Sequence, residues 1–164
     1  MKNLIPYFIQ EQFQAAQSHG ELAAYTMFID LSGFTPLTET LMKRGVDGAE
    51  VLSIILNRIF EPLVRLVYAR GGFIPYFAGD AFTAIFPKSG NIQAWEIILA
   101  AQRIRDLFQE KEVWQTRYGD FQIGVKVGIS VGNVEWGIIG KNQKSFYFRG
   151  AGIDQCVQLS LIHI

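Results

Sequence analysis

The chain has one cysteine, two histidines and no surplus of either charge. Cys156 alone cannot close an internal disulfide, and no CxxC pair is present. That usage fits a reducing compartment and a cytoplasmic location. Lys+Arg and Asp+Glu number 15 each. A balance of that kind gives no broad basic surface, so no nucleic-acid partner is expected. No apolar run reaches the roughly 20 residues that a helical membrane span needs. The first residues are apolar, but Gln10, Glu11, Gln12, Gln14 and Gln17 interrupt them, which excludes a signal peptide. His19 and His163 stand alone and offer no metal pair.

What is present is apolar and aromatic. Hydrophobic residues make up 49% of 164 positions, with 13 phenylalanines. This is enough for one domain with a sizeable core and excludes a disordered chain. Leu4, Ile5, Phe8, Ile9 and Phe13 fall at helical spacing, so residues 1–20 read as an amphipathic helix that packs on the core or a neighbouring domain. The domain proper is expected over 21–158. The last six residues, LSLIHI, match one reading frame of a common transposase sequencing-adapter end. Residues 159–164 are therefore set aside as an adapter scar, and the natural protein is expected to continue.

Between these limits, Ala24–Leu31 reads as a central strand and Phe34–Arg44 as a short helix with Pro36 in its first turn. Glu50–Ala69 has the helical period, with Pro62 predicting a kink. Phe73–Phe77 and Ala81–Phe86 read as a hairpin around Ala78-Gly79-Asp80. Ile92–Phe108 is another amphipathic helix, on which Trp95 is read as a packing residue. Residues 110–119 read as a polar connection. Phe121–Val131 and Asn133–Ile139 read as paired strands, Phe146–Phe148 as a short strand, and a helix opens at Ile153. The order predicts an α+β sandwich, helices packed on a largely antiparallel sheet.

Two acids stand out. In FIDLSGFT an apolar run ends in Asp30, and a glycine turn follows at once. In FIPYFAGDAFTAIF, Asp80 sits between two apolar runs beside Gly79. Each alone reads as a helix cap or turn former. If the two strands are neighbours, both carboxylates leave one sheet edge and converge. Two such acids with the carbonyl of Leu31 suit Mg²⁺, which takes few protein ligands and fills its shell with water and phosphate. Two ions held there could clamp the attacking and leaving oxygens of a phosphoryl displacement. The turn Ser32-Gly33-Phe34-Thr35 opens a helix with free backbone N–H groups, a ready anion site. Taken alone, it is an ordinary strand-to-helix turn.

FIDLSGFTPLTE, GGFIPYFAGDAFTAIF, VKVGISVGNVEWGIIG and YFRGAGIDQC, in this order, resemble successive motifs of the class III adenylyl/guanylyl cyclase catalytic domain. The resemblance runs from about Ala24 to Gln158. It is particularly to the first cyclase domain of soluble-adenylyl-cyclase-type proteins, in which a helix precedes this domain and a second cyclase domain follows. It implies a ferredoxin-like cyclase fold, here lacking its C-terminal part. By the resemblance, Asp30 and Asp80 hold two Mg²⁺ (or Mn²⁺) ions with help from the Leu31 carbonyl. Ser32, Gly33, Phe34, Thr35 and Gly79 would bind the triphosphate of ATP or GTP. The implied reaction is attack of the ribose 3′-hydroxyl on the α-phosphate, releasing pyrophosphate and a 3′,5′-cyclic nucleotide for intracellular signalling.

The departures matter equally. The base-selecting positions are Tyr76, where a Lys is common, and Tyr147, where an Asp is. Asp154 stands at the ribose-orienting Asn and Gln158 at the transition-state Arg. Gln158 cannot place positive charge on phosphate. The resemblance therefore implies the metal-bearing half of a pseudo-heterodimer, with its complement in a second cyclase domain of the same full-length chain. The alternative is a catalytically silent cyclase-like module that regulates or binds nucleotide. A diguanylate cyclase relative fits less well, because the hairpin reads AGDAF rather than GGDEF. An RNA-binding module lacks the interleaved basic and aromatic residues.

Overall fold

A computed structural model describes residues 5–110 and 113–161. Helix α1 (Tyr7–Gln14) leads into the long strand β1 (His19–Ser32), then α2 (Phe34–Met42) and α3 (Val46–Ala69). Strands β2 (Phe77–Ala78) and β3 (Ala81–Pro87) follow, then α4 (Ala94–Glu110). The hairpin β4 (Val113–Thr116) and β5 (Gly119–Gln122) precedes β6 (Gly124–Ile139), β7 (Ser145–Arg149) and α5 (Ala151–Leu161). Five strands form one sheet in the order β2-β3-β1-β6-β7, every neighbouring pair antiparallel, and β4-β5 stand apart. The expected α+β architecture with an antiparallel sheet is what the chain adopts.

β1 is central because apolar residues occupy both of its faces. Met27, Ile29 and Leu31 point to one side and meet Phe82, Ala84 and Phe86 of β3. Helices α2, α3 and α4 cover this face with Leu37, Leu41, Ile55, Ile59, Leu63, Ile97 and Ile104, all nearly or fully buried. Alternation sends Ala24, Thr26, Phe28 and Asp30 to the opposite face. There Ile85, Val134, Trp136, Phe148 and Ile153 form a second core with Ile9 of α1. Phe8 stacks on Phe73 at 5.4 Å and meets Trp136 edge-on at 5.4 Å.

Several expectations need correction. The N-terminal helix is shorter than residues 1–20: it ends at Gln14, and His19 already belongs to β1, pairing with Gly137. Leu4 lies outside the described residues. Phe73–Phe77 is not a continuous strand. Phe73 makes one isolated bridge to Ile85 and the ladder resumes only at Phe77, because Pro75 has no N–H to give. α3 starts at Val46 rather than Glu50, and it ends at Ala69 with Pro62 inside it, as expected. Residues 113–122 form a hairpin that occupies most of the expected polar connection and takes the first two residues of the strand expected from Phe121. Trp95 is 63% exposed rather than packed.

The break expected at Gly132 is absent: from Gly124 to Ile139 the two expected strands are one, while Phe121 and Gln122 belong to β5. β6 runs unbroken past Gly132 because β1 pairs with it from Gly124 to Gly137. Gly132 marks close approach rather than a turn: a Cβ there would lie 3.3 Å from Gly152 of α5. At Gly128 it would lie 2.0 Å from the Cys156 carbonyl oxygen. The helix thus sits directly on the strand, fixed by the buried Thr26 hydroxyl, which donates to the Gly152 carbonyl at 2.7 Å.

Candidate functional site

Asp30 is the last but two residue of β1, where the ladder sets it opposite Ala81 of β3 and Lys126 of β6. Asp80 immediately precedes β3 in a two-residue turn whose Gly79 takes φ +66°. The Leu31 N–H donates to the Asp80 carbonyl at 3.3 Å, which ties the turn to the end of β1. The two acids therefore sit side by side at one edge of the sheet. Leu31 itself is buried, its side chain in the core and its backbone at the site.

The electrostatics are those of an unbalanced acid pair. Burial raises the Asp30 carboxyl above its ordinary value, and the neighbouring Asp80 raises it further. Lys126 and the Leu31 backbone act the other way, by favouring the charged form. The shift is upward, so the single lysine does not offset burial and the second acid. Hard oxygen donors facing like charge fit a divalent cation. Among the described residues no cluster of three or more His, Cys, Asp or Glu is present. Such a set leaves coordination positions for water and phosphate, which suits Mg²⁺.

Beside the acids, Ser32 closes β1 opposite Gly124, and Gly33 turns the chain into α2 at φ +80°. A Cβ on Gly33 would lie 2.0 Å from the Gln122 carbonyl oxygen, so glycine is required both by conformation and by space. Phe34 is half-buried against the core, while Thr35 is exposed. Thr38 bonds the carbonyls of Phe34 and Thr35 at 3.1 and 2.8 Å. The N–H groups of this first turn have no intrahelical acceptor and point out of the helix start.

The altered positions lie elsewhere. Tyr76 is exposed on the segment leading to β2. Tyr147 faces Gly137, and its ring lies under the Arg149 guanidinium at 5.6 Å. Arg149 also pairs with Glu135 at 2.6 Å. Gly137 and Lys126 are eleven residues apart on β6, roughly 36 Å of strand. Tyr147 therefore stands towards the opposite end of β6 from the Asp30 site. Asp154 and Gln158 are exposed on α5. Lys126 is the residue that the motif reading missed.

No family model matches the chain. Among curated proteins it is 34% identical over 135 residues to adenylate cyclase type 10 of Homo sapiens, 78% of this chain and 8% of that protein. To the Rattus norvegicus protein of the same name it is 33% identical over 129 residues, 74% of this chain and 8% of that protein. The chain thus spans about 8% of the length of these relatives. Among solved structures, a bacterial light-regulated adenylyl cyclase superposes with a TM-score of 0.74 at 21% identity, covering 96% of this chain and 45% of that one. By sequence relationship and by fold, the chain belongs to the class III adenylyl/guanylyl cyclase catalytic domains.

Proposed function

We propose that this domain is the metal-bearing half of a nucleotide cyclase that converts ATP to its 3′,5′-cyclic nucleotide and pyrophosphate. The observation that carries the reading is the convergence of Asp30 and Asp80 at one sheet edge, with Lys126 across the ladder from Asp30. Asp30 and Asp80 would hold two Mg²⁺ ions, with the Leu31 carbonyl as a further oxygen ligand. Bound there, the ions supply charge neutralisation and a lowered pKa for the ribose hydroxyl. The turn from Ser32 to Thr35 presents N–H groups to the triphosphate, with Gly79 beside the acids, and Lys126 adds the fixed positive charge.

In the reaction the ribose 3′-oxygen bonds to the α-phosphorus. The bond from that phosphorus to the α,β-bridging oxygen breaks, pyrophosphate leaves with the electron pair, and the hydroxyl proton passes to solvent. Chain elements held on a sheet edge favour this step by positioning and by fixed charge. ATP is chosen because the curated relatives are adenylate cyclases. The roughly 36 Å of strand between Tyr147 and the acids supports a site completed by a second cyclase domain. The protein acts in the cytoplasm.

The test uses the full-length natural protein, assayed for Mg²⁺- or Mn²⁺-dependent cyclic AMP formation. Activity that survives Asp30→Ala combined with Asp80→Ala removes the metal assignment. A second reading, a silent nucleotide-binding or regulatory module, is favoured by the neutral, exposed Gln158. Triphosphate binding without turnover in the full-length protein selects it.

A further inference from the structure

The hairpin β4–β5 reaches both ends of α2, Gly33 before it and Arg44 after it. At the base, the Gln122 carbonyl oxygen occupies the space that a Gly33 side chain would need. At the tip, two guanidiniums lie over the Tyr118 ring, with Arg44 Cζ at 5.4 Å and Arg117 Cζ at 4.9 Å from its centroid. Arg44 is two residues beyond the last residue of α2. Arg117 Nη2 reaches on to the first turn of α3, 3.4 Å from the Asp47 carbonyl and 4.0 Å from its carboxylate. The nine residues of α2 span about 14 Å, and the four of β5 about 13 Å. Strand and helix match in length. Trp114, buried at 8% exposure, roots the hairpin in the core.

We infer that β4–β5 is a strap that sets the position of α2, and that Tyr118 is a positioning residue for the phosphate-binding turn at the other end of that helix. This rests on the triphosphate role proposed for Ser32 to Thr35. α2 is held to the sheet by few buried side chains, Leu37 and Leu41 fully so. Its N-terminal amides bind phosphate only if the helix does not slide. Gln122 fixes one end by contact with Gly33, and the Tyr118 clamp fixes where the hairpin lies. Loss of the ring frees the tip and lets the turn retreat from the phosphates. Asp30 and Asp80 stand on β1 and the β2–β3 turn, outside the strap, so metal binding by those acids is untouched.

The experiment compares Tyr118→Leu and Tyr118→Phe in the full-length natural protein. Cyclic AMP formation is measured against ATP and against Mn²⁺, with calorimetric binding of a non-hydrolysable ATP analogue alongside. Tyr118→Leu is expected to raise KM and analogue Kd about fivefold, the scale set by two lost cation–π contacts. The Mn²⁺ half-saturation stays put. Tyr118→Phe keeps the ring face and is expected to retain the wild-type values. Should Tyr118→Leu fail to fold, Arg44→Gln, an exposed change, gives the same readout with a smaller rise. Unchanged KM and Kd in the folded variants, with an active wild type, overturn the strap alone. A wild type that neither binds nor turns over the triphosphate overturns the functional reading, and the strap's role with it.

Discussion

Asp30 on β1 and Lys126 on β6 face each other across one rung of the antiparallel ladder, at the edge where Asp80 also arrives. The lysine lowers the cost of charging Asp30, while burial and Asp80 raise it. Its ammonium is thus the fixed cation of an otherwise acidic site.

Lys126→Met follows directly. It removes that cation without opening a cavity on the apolar face, since Val125 and Val127 are unchanged. We expect kcat/KM for ATP in the full-length protein to fall by about 10²-fold, the scale for a lost fixed charge at a transition state. Steady-state assays at saturating Mg²⁺ check this. An unaltered kcat/KM removes Lys126 from the site.

The Asp30 pair carries a pH-dependent cost. Folding raises the Asp30 pKa above 3.8, so the folded state binds the proton more tightly than the unfolded state. That contribution favours the fold below pH 3.8 and is lost as pH rises through the folded value. At neutral pH the metal-free protein therefore bears an uncompensated charge. Asp30→Asn is expected to raise the metal-free melting temperature at pH 7, and the gain should shrink towards pH 3. Added Mn²⁺ should stabilise the wild type and not the variant. Thermal melts across pH with and without Mn²⁺ decide the point.

Much of this arrangement was legible in the residues. Apolar runs that end in an acid beside glycine marked the ends of β1 and the β2–β3 turn, because strand, turn and acid are all local features. Lys126 was not legible, since one lysine in VKVGIS looks like a solvated strand position. Only the register with β1 gives it a partner, and register is a property of two distant segments. In the structure Val125, Val127 and Ile129 pack on the α2–α4 side, and Lys126 alternates to the other face. The β4–β5 hairpin hid for a similar reason. Its Arg117-Tyr118 turn and scattered polar residues resemble a linker, and Trp114 and Phe121 pair only once the strands are opposed. Gly132-Asn133 misled in the opposite direction: glycine signalled a turn where it serves the approach of α5.

Gly33 and Gly79 both take positive φ, yet they should respond differently to alanine. At Gly79 no atom lies within 4 Å of an added Cβ, so only the backbone penalty of about 1–2 kcal/mol applies. At Gly33 the same penalty combines with a backbone oxygen at 2.0 Å. We expect Gly33→Ala to cost about 3 kcal/mol or more. Denaturant melts of both variants should rank them in that order.

Thr26→Val examines how α5 is fixed on the sheet. The Thr26 hydroxyl is fully buried, and its bond to the Gly152 carbonyl is 2.7 Å long. Valine keeps the shape but withdraws the donor and leaves that carbonyl short of a partner, a loss of about 1–3 kcal/mol. Gly128 and Gly132 leave the helix no room to sink closer, so the lost bond cannot be recovered by repacking. The midpoint of urea unfolding should fall while the slope stays constant, because the surface exposed on unfolding is the same. Hydrogen exchange should rise first in α5 rather than in α2–α4, which pack on the other face of the sheet. Uniform loss of protection across both faces would mean that the two cores do not open separately, and that Thr26 fixes the whole sheet rather than one helix.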